Sequence, residues 1–202
     1  MSEKSEESEK PNLYLLGFMG TGKTTLGRRV ARALGYEFVD SDVEIERSCG
    51  MKISDIFAEL GEEKFREMER KFLEGGHRDS GCVVACGGGL VCFPGMPELV
   101  RSKGVCIVLF ASAEEIYERV KNGKNRPLLN VDNPLDRINS LLKDRTPAYL
   151  KSGIAISAGP DMAETEAHIL RVYRAEIRRR KNEAQKRNAN VAAEMKKANK
   201  AG

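Results

Sequence analysis

Gly17-Phe18-Met19-Gly20-Thr21-Gly22-Lys23-Thr24 has the spacing G-x-x-x-x-G-K-[ST], and each fixed position answers to a feature of a polyphosphate. Gly20, Thr21 and Gly22 let backbone N–H groups turn inward around phosphate oxygens, and Lys23 can reach the β- and γ-phosphates. The Thr24 hydroxyl suits direct ligation of Mg²⁺, and Thr25 follows it in the opening turn of a helix whose positive dipole end favours anions. The chemistry is that of gripping a nucleoside triphosphate with its metal ion. With no guanine-reading N-K-x-D motif in the chain, ATP is the expected nucleotide. A phosphate loop alone does not separate a kinase from an ATPase or a nucleotide switch, so a kinase needs further residues suited to an acceptor.

Such residues are present. Asp40 and Asp42 stand two positions apart at the end of an apolar run, which turns both carboxylates to one side while the chain stays extended. Ser41 or Asp42 could simply cap the next helix, whereas a carboxylate at Asp40, straight after Phe38-Val39, needs a cation or donors to be buried. Arg145 shares a helical face with Leu135, Ile138, Leu142 and Tyr149, where a charge must find a partner or snorkel outward. Arg66 borders the apolar edge of Phe65 and Met68, and Glu69 lies three residues on, able to hold its guanidinium. Gly87-Gly88-Gly89 offers three residues without Cβ, where backbone can approach a ligand closely. Arg126 lies in the polar stretch 121–133 between two helical patterns, as a lid carrying a cation over the phosphates would.

These residues need a scaffold, and the pattern of the chain supplies one. Leu13–Leu16, Glu37–Val39, Cys82–Cys86, Val105–Phe110 and Ile154–Ile156 read as buried strands. Between them come helical patterns: from Lys23 to a cap at Gly35, over 43–48 after a Ser41/Glu44 capping box, and over 53–74, 113–122, 134–151 and 161–180. Strands alternating with helices predict an α/β sandwich around a parallel sheet, with ligands beyond the C-terminal strand ends.

The 202 residues, 41% of them hydrophobic, fit one domain spanning 11–180. The apolar runs are too short to cross a bilayer, and the first residues lack a secretory pattern, so the expected compartment is the cytoplasm. Five cysteines, odd in number and without a C-x-x-C pair, read as reduced thiols rather than a zinc cage or disulfide framework. The formal charge is +4, but residues 1–10 carry two Lys against four Glu and residues 171–202 carry eleven Lys or Arg against three Glu. Both ends read as disordered tails, the acidic one at 1–10 and the basic one at 181–202. A basic tail can grip nucleic acid, yet a run such as Arg178-Arg179-Arg180-Lys181 serves more often as a solvated helix end. Nucleic acid is therefore not an expected partner.

The set Gly17–Thr24, Asp40-Ser41-Asp42, Phe65-Arg66-Glu67-Met68-Glu69, Gly87-Gly88-Gly89, Arg126-Pro127-Leu128-Leu129 and Arg145-Thr146-Pro147-Ala148-Tyr149 resembles, in this order, the motifs of the shikimate kinase family over roughly residues 12–170. The resemblance implies a fold like that of nucleoside monophosphate kinases: a three-layer α/β/α sandwich with a five-stranded parallel sheet in the order 2-3-1-4-5. It implies ATP and shikimate as substrates, one Mg²⁺ and a monomer. Residue by residue, it implies that Arg66, Arg145 and the backbone of Gly87, Gly88 and Gly89 hold the shikimate carboxylate. Asp42 then meets the ring hydroxyls as base or orienter, and Asp40 touches Mg²⁺ through water. Arg126 closes over the transferring phosphate beside Lys23, and Arg119 stacks on adenine. Cys86 departs from the Thr or Ser that family members often carry before the glycines, and the basic tail has no counterpart in the compact family pattern.

Overall fold

In the computed structural model residues 10–121 and 131–201 are described, with side chains as far as 190. The expected lid at 121–133, with Arg126, and the acidic segment 1–9 fall largely or wholly outside these residues.

The centre of the molecule is β1 (Asn12–Gly17), buried along its whole length. It lies parallel to β3 (Cys82–Ala85) on one side and β4 (Gly104–Phe110) on the other, with Leu13 opposite both Val83 and Val105. β2 (Glu37–Asp40) and β5 (Ile154–Ser157) complete a five-stranded parallel sheet in the order β2-β3-β1-β4-β5. Because successive side chains alternate, Leu13 and Leu15 enter one core and Tyr14 and Leu16 the other, so neither face of β1 can be polar.

Helices cover both faces. The Leu13 side packs on α1 (Lys23–Leu34) through Leu26 and Val30, and on the last helix through Ile169 and Tyr173. The Tyr14 side packs on α2 (Ser41–Cys49), α3 (Gly61–Gly75), α4 (Met96–Lys103), α5 (Ala113–Val120) and α6 (Pro134–Ser152). The result is the three-layer sandwich expected, with the loop after β1 and the ends of β2 and β3 opening on one edge.

Four local features differ from the sequence reading. α2 begins at Ser41, capped not by a Ser41/Glu44 box but by Asp40, whose carboxylate accepts the Asp42 N–H at 3.2 Å; the Ser41 hydroxyl is turned inward instead. The single helix expected over 53–74 is interrupted: a turn at Ile53–Asp55 widens into a π-helical turn at Ile56–Leu60, and Gly61 at φ 81 resets the chain before α3. The 3₁₀ turn Leu90–Cys92 and α4 had no expected counterpart, the latter a short helix opened by Gly95 and Pro97.

The last correction is the largest. α7 runs from Met162 to Ala201, where disorder was expected after about 180. Tyr173 ties it to the body by donating to the Pro11 carbonyl, and Arg180 by donating to the Gly104 carbonyl at 3.1 Å. Beyond that point residues 181–190 are exposed, and there the chain stays helical without burial. Extension from an existing helix avoids the costly nucleation step, and Ala, Lys, Gln, Arg and Glu carry little propensity penalty.

Candidate active site

The loop between β1 and α1 is wound by its own side chains. The Lys23 ammonium donates to the carbonyls of Gly17 at 2.9 Å and Phe18 at 2.8 Å, and the buried Thr21 hydroxyl donates to Phe18 at 2.8 Å. Gly20 and Gly22 have φ of 75 and 92, left-handed values that a side chain would strain. At the helix start the Thr24 hydroxyl donates to Asp40 Oδ2 at 2.9 Å, so a hydroxyl from α1 and a carboxylate from β2 meet beside the loop. Hard oxygen donors of this kind fit Mg²⁺. Thr25 is exposed in the same turn. Arg119, on α5, reaches the rim of the loop: it donates to the Gly20 carbonyl at 3.3 Å and to the carbonyls of Ala158 and Gly159, each at 3.2 Å.

Opposite this loop, the triple glycine is explained by space, since none of Gly87, Gly88 and Gly89 has a positive φ. A Cβ on Gly87 would stand 2.6 Å from Asp42 Oδ1 and 3.0 Å from Glu69 Oε1, one on Gly88 3.2 Å from the Met19 nitrogen, and one on Gly89 3.0 Å from an Arg66 nitrogen. The segment is therefore the floor on which Asp42, Glu69, Arg66 and the phosphate loop converge. Burial raises the Asp42 carboxyl above its ordinary range, reinforced by Asp40 and opposed by Lys23. A nearby ammonium thus works against the desolvation of this carboxyl.

Arg66 is only 17% exposed, with one fork nitrogen on Glu69 at 2.7 Å and the other on Glu62 at 2.8 Å. Its guanidinium lies 4.3 Å from the centre of the Phe93 ring. Glu69 is buried, and burial pushes its carboxyl up to about 7 against the pull of Arg66. Among the described residues, Glu69 Oε1 and Arg66 Nε have no hydrogen-bond partner, an expensive state that a bound ligand or water relieves. Arg145, half-buried on α6, lies 5.5 Å from the Phe18 ring centre. Burial raises the Cys92 thiol, and the positive charges of Arg145 and Arg66 work against that rise.

The structure thus brings together Lys23, Thr24, Asp40, Asp42, Arg66, Arg145 and Gly87–Gly89. Arg119 sits at the rim, and Arg126 lies outside the described residues. Sequence reasoning missed the local roles of Ser41, Glu62, Phe93 and Tyr149. Glu62, four residues before Arg66, was legible from helical spacing, and Phe93 carried no signal. Cys86, immediately before the glycines, is fully enclosed and burial drives its thiol well above the ordinary range; it is a core residue here.

A family model described as shikimate kinase matches residues 19–195. The chain belongs to the shikimate kinase family. Its relatives include the shikimate kinase of Thermodesulfovibrio yellowstonii, 42% identical over 163 residues that cover 80% of this chain and 94% of the relative. Among solved structures, shikimate kinase from Acinetobacter baumannii in complex with shikimate superposes with a TM-score of 0.78 at 37% identity, covering 87% of this chain and 98% of that one. A gluconokinase from Sinorhizobium meliloti, at 18% identity and TM-score 0.53, shares the fold alone. The shikimate kinase membership agrees with the motif order, and the sheet order is that of the family's fold.

Proposed function

We propose that this protein transfers the γ-phosphate of ATP to the 3-hydroxyl of shikimate, giving shikimate 3-phosphate and ADP. One juxtaposition carries the proposal: beside a lysine-bearing phosphate loop, the Asp42 carboxyl and the Arg66 guanidinium stand against a glycine floor, with Arg145 lying by Phe18 of the loop. A cradle of N–H donors takes a triphosphate, and a pair of arginines takes the carboxylate of an alcohol beside it.

In this reading Lys23 stabilises charge on the phosphates, and the amides around Gly20, Thr21 and Gly22, with Thr25 at the helix start, orient them. Thr24 would hold Mg²⁺ directly and Asp40 through water, and the ion would neutralise phosphate charge when bound. Arg66 and Arg145 fix the carboxylate end of shikimate, so that the attacked hydroxyl rests against Asp42. As the hydroxyl oxygen bonds to the γ-phosphorus and the bond to ADP breaks, the proton passes to the Asp42 carboxylate. Arg119 flanks the nucleotide base, and Arg126 is the cation assigned to the transferring phosphoryl group.

The five cysteines are free thiols, as suits a reducing compartment, and we take the protein to work as a cytoplasmic monomer. ADP release measured with ATP and Mg²⁺, with and without shikimate, tests the function. A rate that rises sharply with shikimate is the expected result; an equal rate without it overturns the reading in favour of simple ATP hydrolysis.

A further inference from the structure

The glycine floor is held at two points, one from each side of the acceptor pocket. On one side the Gly87 N–H donates to the Ser41 hydroxyl at 2.8 Å, and that hydroxyl is directed to Asp42 Oδ1 at 3.4 Å. On the other, the Tyr149 hydroxyl donates to the Gly88 carbonyl at 2.5 Å. Ser41 is 0% and Tyr149 1% exposed, so water cannot take over either bond without the pocket opening. The two residues belong to the helices that carry Asp42 and Arg145. Ser41 precedes Asp42 in the first turn of α2, and Tyr149 lies one turn beyond Arg145 in α6.

Neither contact is needed to cap a helix or close a sheet. The α2 cap is Asp40, and the Cys86 N–H just before the floor already donates to the Leu15 carbonyl at 3.0 Å. The Tyr149 ring is held by the core independently of its hydroxyl, with Phe110 edge-on at 6.2 Å. What the two bonds add is a fixed relation between three parts: the Asp42 helix, the floor, and the Arg145 helix. The floor has no side chains of its own to lock it, because a Cβ at Gly87 or Gly89 would strike Asp42 or Arg66. A segment freed of side chains so that it can lie against a ligand has to be immobilised through its backbone N–H and C=O groups.

We propose that Ser41 and Tyr149 form a two-point clamp on Gly87–Gly88 that sets the distance between the Asp42 carboxylate and the Arg145 guanidinium, and so the hydroxyl-to-carboxylate span the pocket accepts. Both are positioning residues: they hold the floor, Ser41 reaching the Asp42 carboxylate as well, and touch neither the phosphates nor the reacting hydroxyl. The clamp rests on the acceptor reading above for its consequence in turnover, but its mechanical part does not.

The test is a double-mutant cycle of Ser41→Ala and Tyr149→Phe, each removing a single hydroxyl, with two readouts. The first is amide hydrogen exchange at Gly87, which needs no substrate. The clamp requires Tyr149→Phe, acting on the far side at Gly88, to speed exchange at Gly87 by about tenfold or more. The second is steady-state kinetics with shikimate. Each single variant raises the shikimate KM about tenfold while the ATP KM stays within about twofold, and the double variant equals the worse single one rather than their product. Unchanged Gly87 exchange in Tyr149→Phe overturns the clamp whatever the substrate proves to be. So do equal rises in both KM values, or effects that multiply. Absence of shikimate-dependent turnover in the native protein, with Gly87 exchange still coupled to Tyr149, overturns the acceptor reading and leaves the clamp standing. If Ser41→Ala does not fold, Tyr149→Phe decides the matter alone, since its ring still fills the core.

Discussion

The two halves of the pocket satisfy their polar groups in opposite ways. In the phosphate half, Lys23 rests on the carbonyls of Gly17 and Phe18, Thr21 on Phe18, and Thr24 on Asp40, so the chain supplies partners from within. In the acceptor half, Glu69 Oε1 and Arg66 Nε are buried without partners among the described residues, and the carboxyls of Asp42 and Glu69 are raised by desolvation. The first arrangement is stable on its own and reads a group that every nucleoside triphosphate shares. The second is costly until a ligand arrives, and unpaired buried groups are what reject an analogue lacking the matching one. Recognition of one particular acceptor therefore belongs where the protein is least satisfied.

Replacing Asp42 by Asn should have the largest effect on this contrast. The amide keeps the shape but cannot take the proton, so kcat with shikimate should fall by about two to four powers of ten. ATP affinity, measured by titration calorimetry, should barely move. A loss of ATP binding as large as the loss of rate would merge the two halves into one. Next comes Arg66→Lys, which keeps the charge but loses the planar fork between Glu62 and Glu69. The shikimate KM should rise about ten- to a hundredfold, with little change in that for ATP, and parallel rises in both would break the comparison.

The same contrast explains what could be seen in the sequence. The phosphate half was legible because its chemistry is local: Gly17 to Thr24 is one continuous segment between a buried strand and a helix, and its spacing is dictated by a ligand of fixed shape. The sheet was legible for a related reason, since runs such as Val105–Phe110 must be apolar on both faces. The acceptor half is assembled from β2, α2, α3, the glycine floor and α6, and only its charged members announced themselves. Ser41 matched a capping box that the fold does not use, because Asp40 reached the Asp42 amide first and the hydroxyl was left for Gly87. α4 is too short for its period to stand out, and its opening Gly95 and Pro97 read as a turn. The extension of α7 past Arg180 was missed because burial was taken as the criterion for order, whereas an established helix continues on propensity.

A third perturbation acts on the floor between the halves. In Gly87→Ala the new methyl would fall 2.6 Å from Asp42 Oδ1 and 3.0 Å from Glu69 Oε1, and overpacking of that order costs about 1–3 kcal/mol. Shikimate turnover should drop about tenfold or more for that cost, with the damage in the acceptor half. Gly88→Ala is the control that sharpens the contrast, since its methyl would meet the Met19 backbone at 3.2 Å and should disturb ATP use as well. Equal profiles for the two variants would mean that the floor does not separate the sites.

The smallest effect is a slope rather than a loss. Glu69 has its carboxyl pushed from an ordinary 4.5 to about 7, chiefly by burial. A group whose folded value is raised in this way binds more protons in the native state than in the unfolded one between those two pH values. Stability should therefore fall as pH rises from about 4.5 to about 7, and the full cost of a buried carboxylate is present above that. The contribution cannot exceed about 1.4 kcal/mol per pH unit, and Arg66, at 2.7 Å, recovers part of it. In Glu69→Gln the side chain has no proton to lose, so the midpoint of thermal unfolding should vary less across that window than in the native protein. Should the two curves keep the same slope, Glu69 would be satisfied in solution by water, and the acceptor half would be as self-sufficient before binding as the phosphate half.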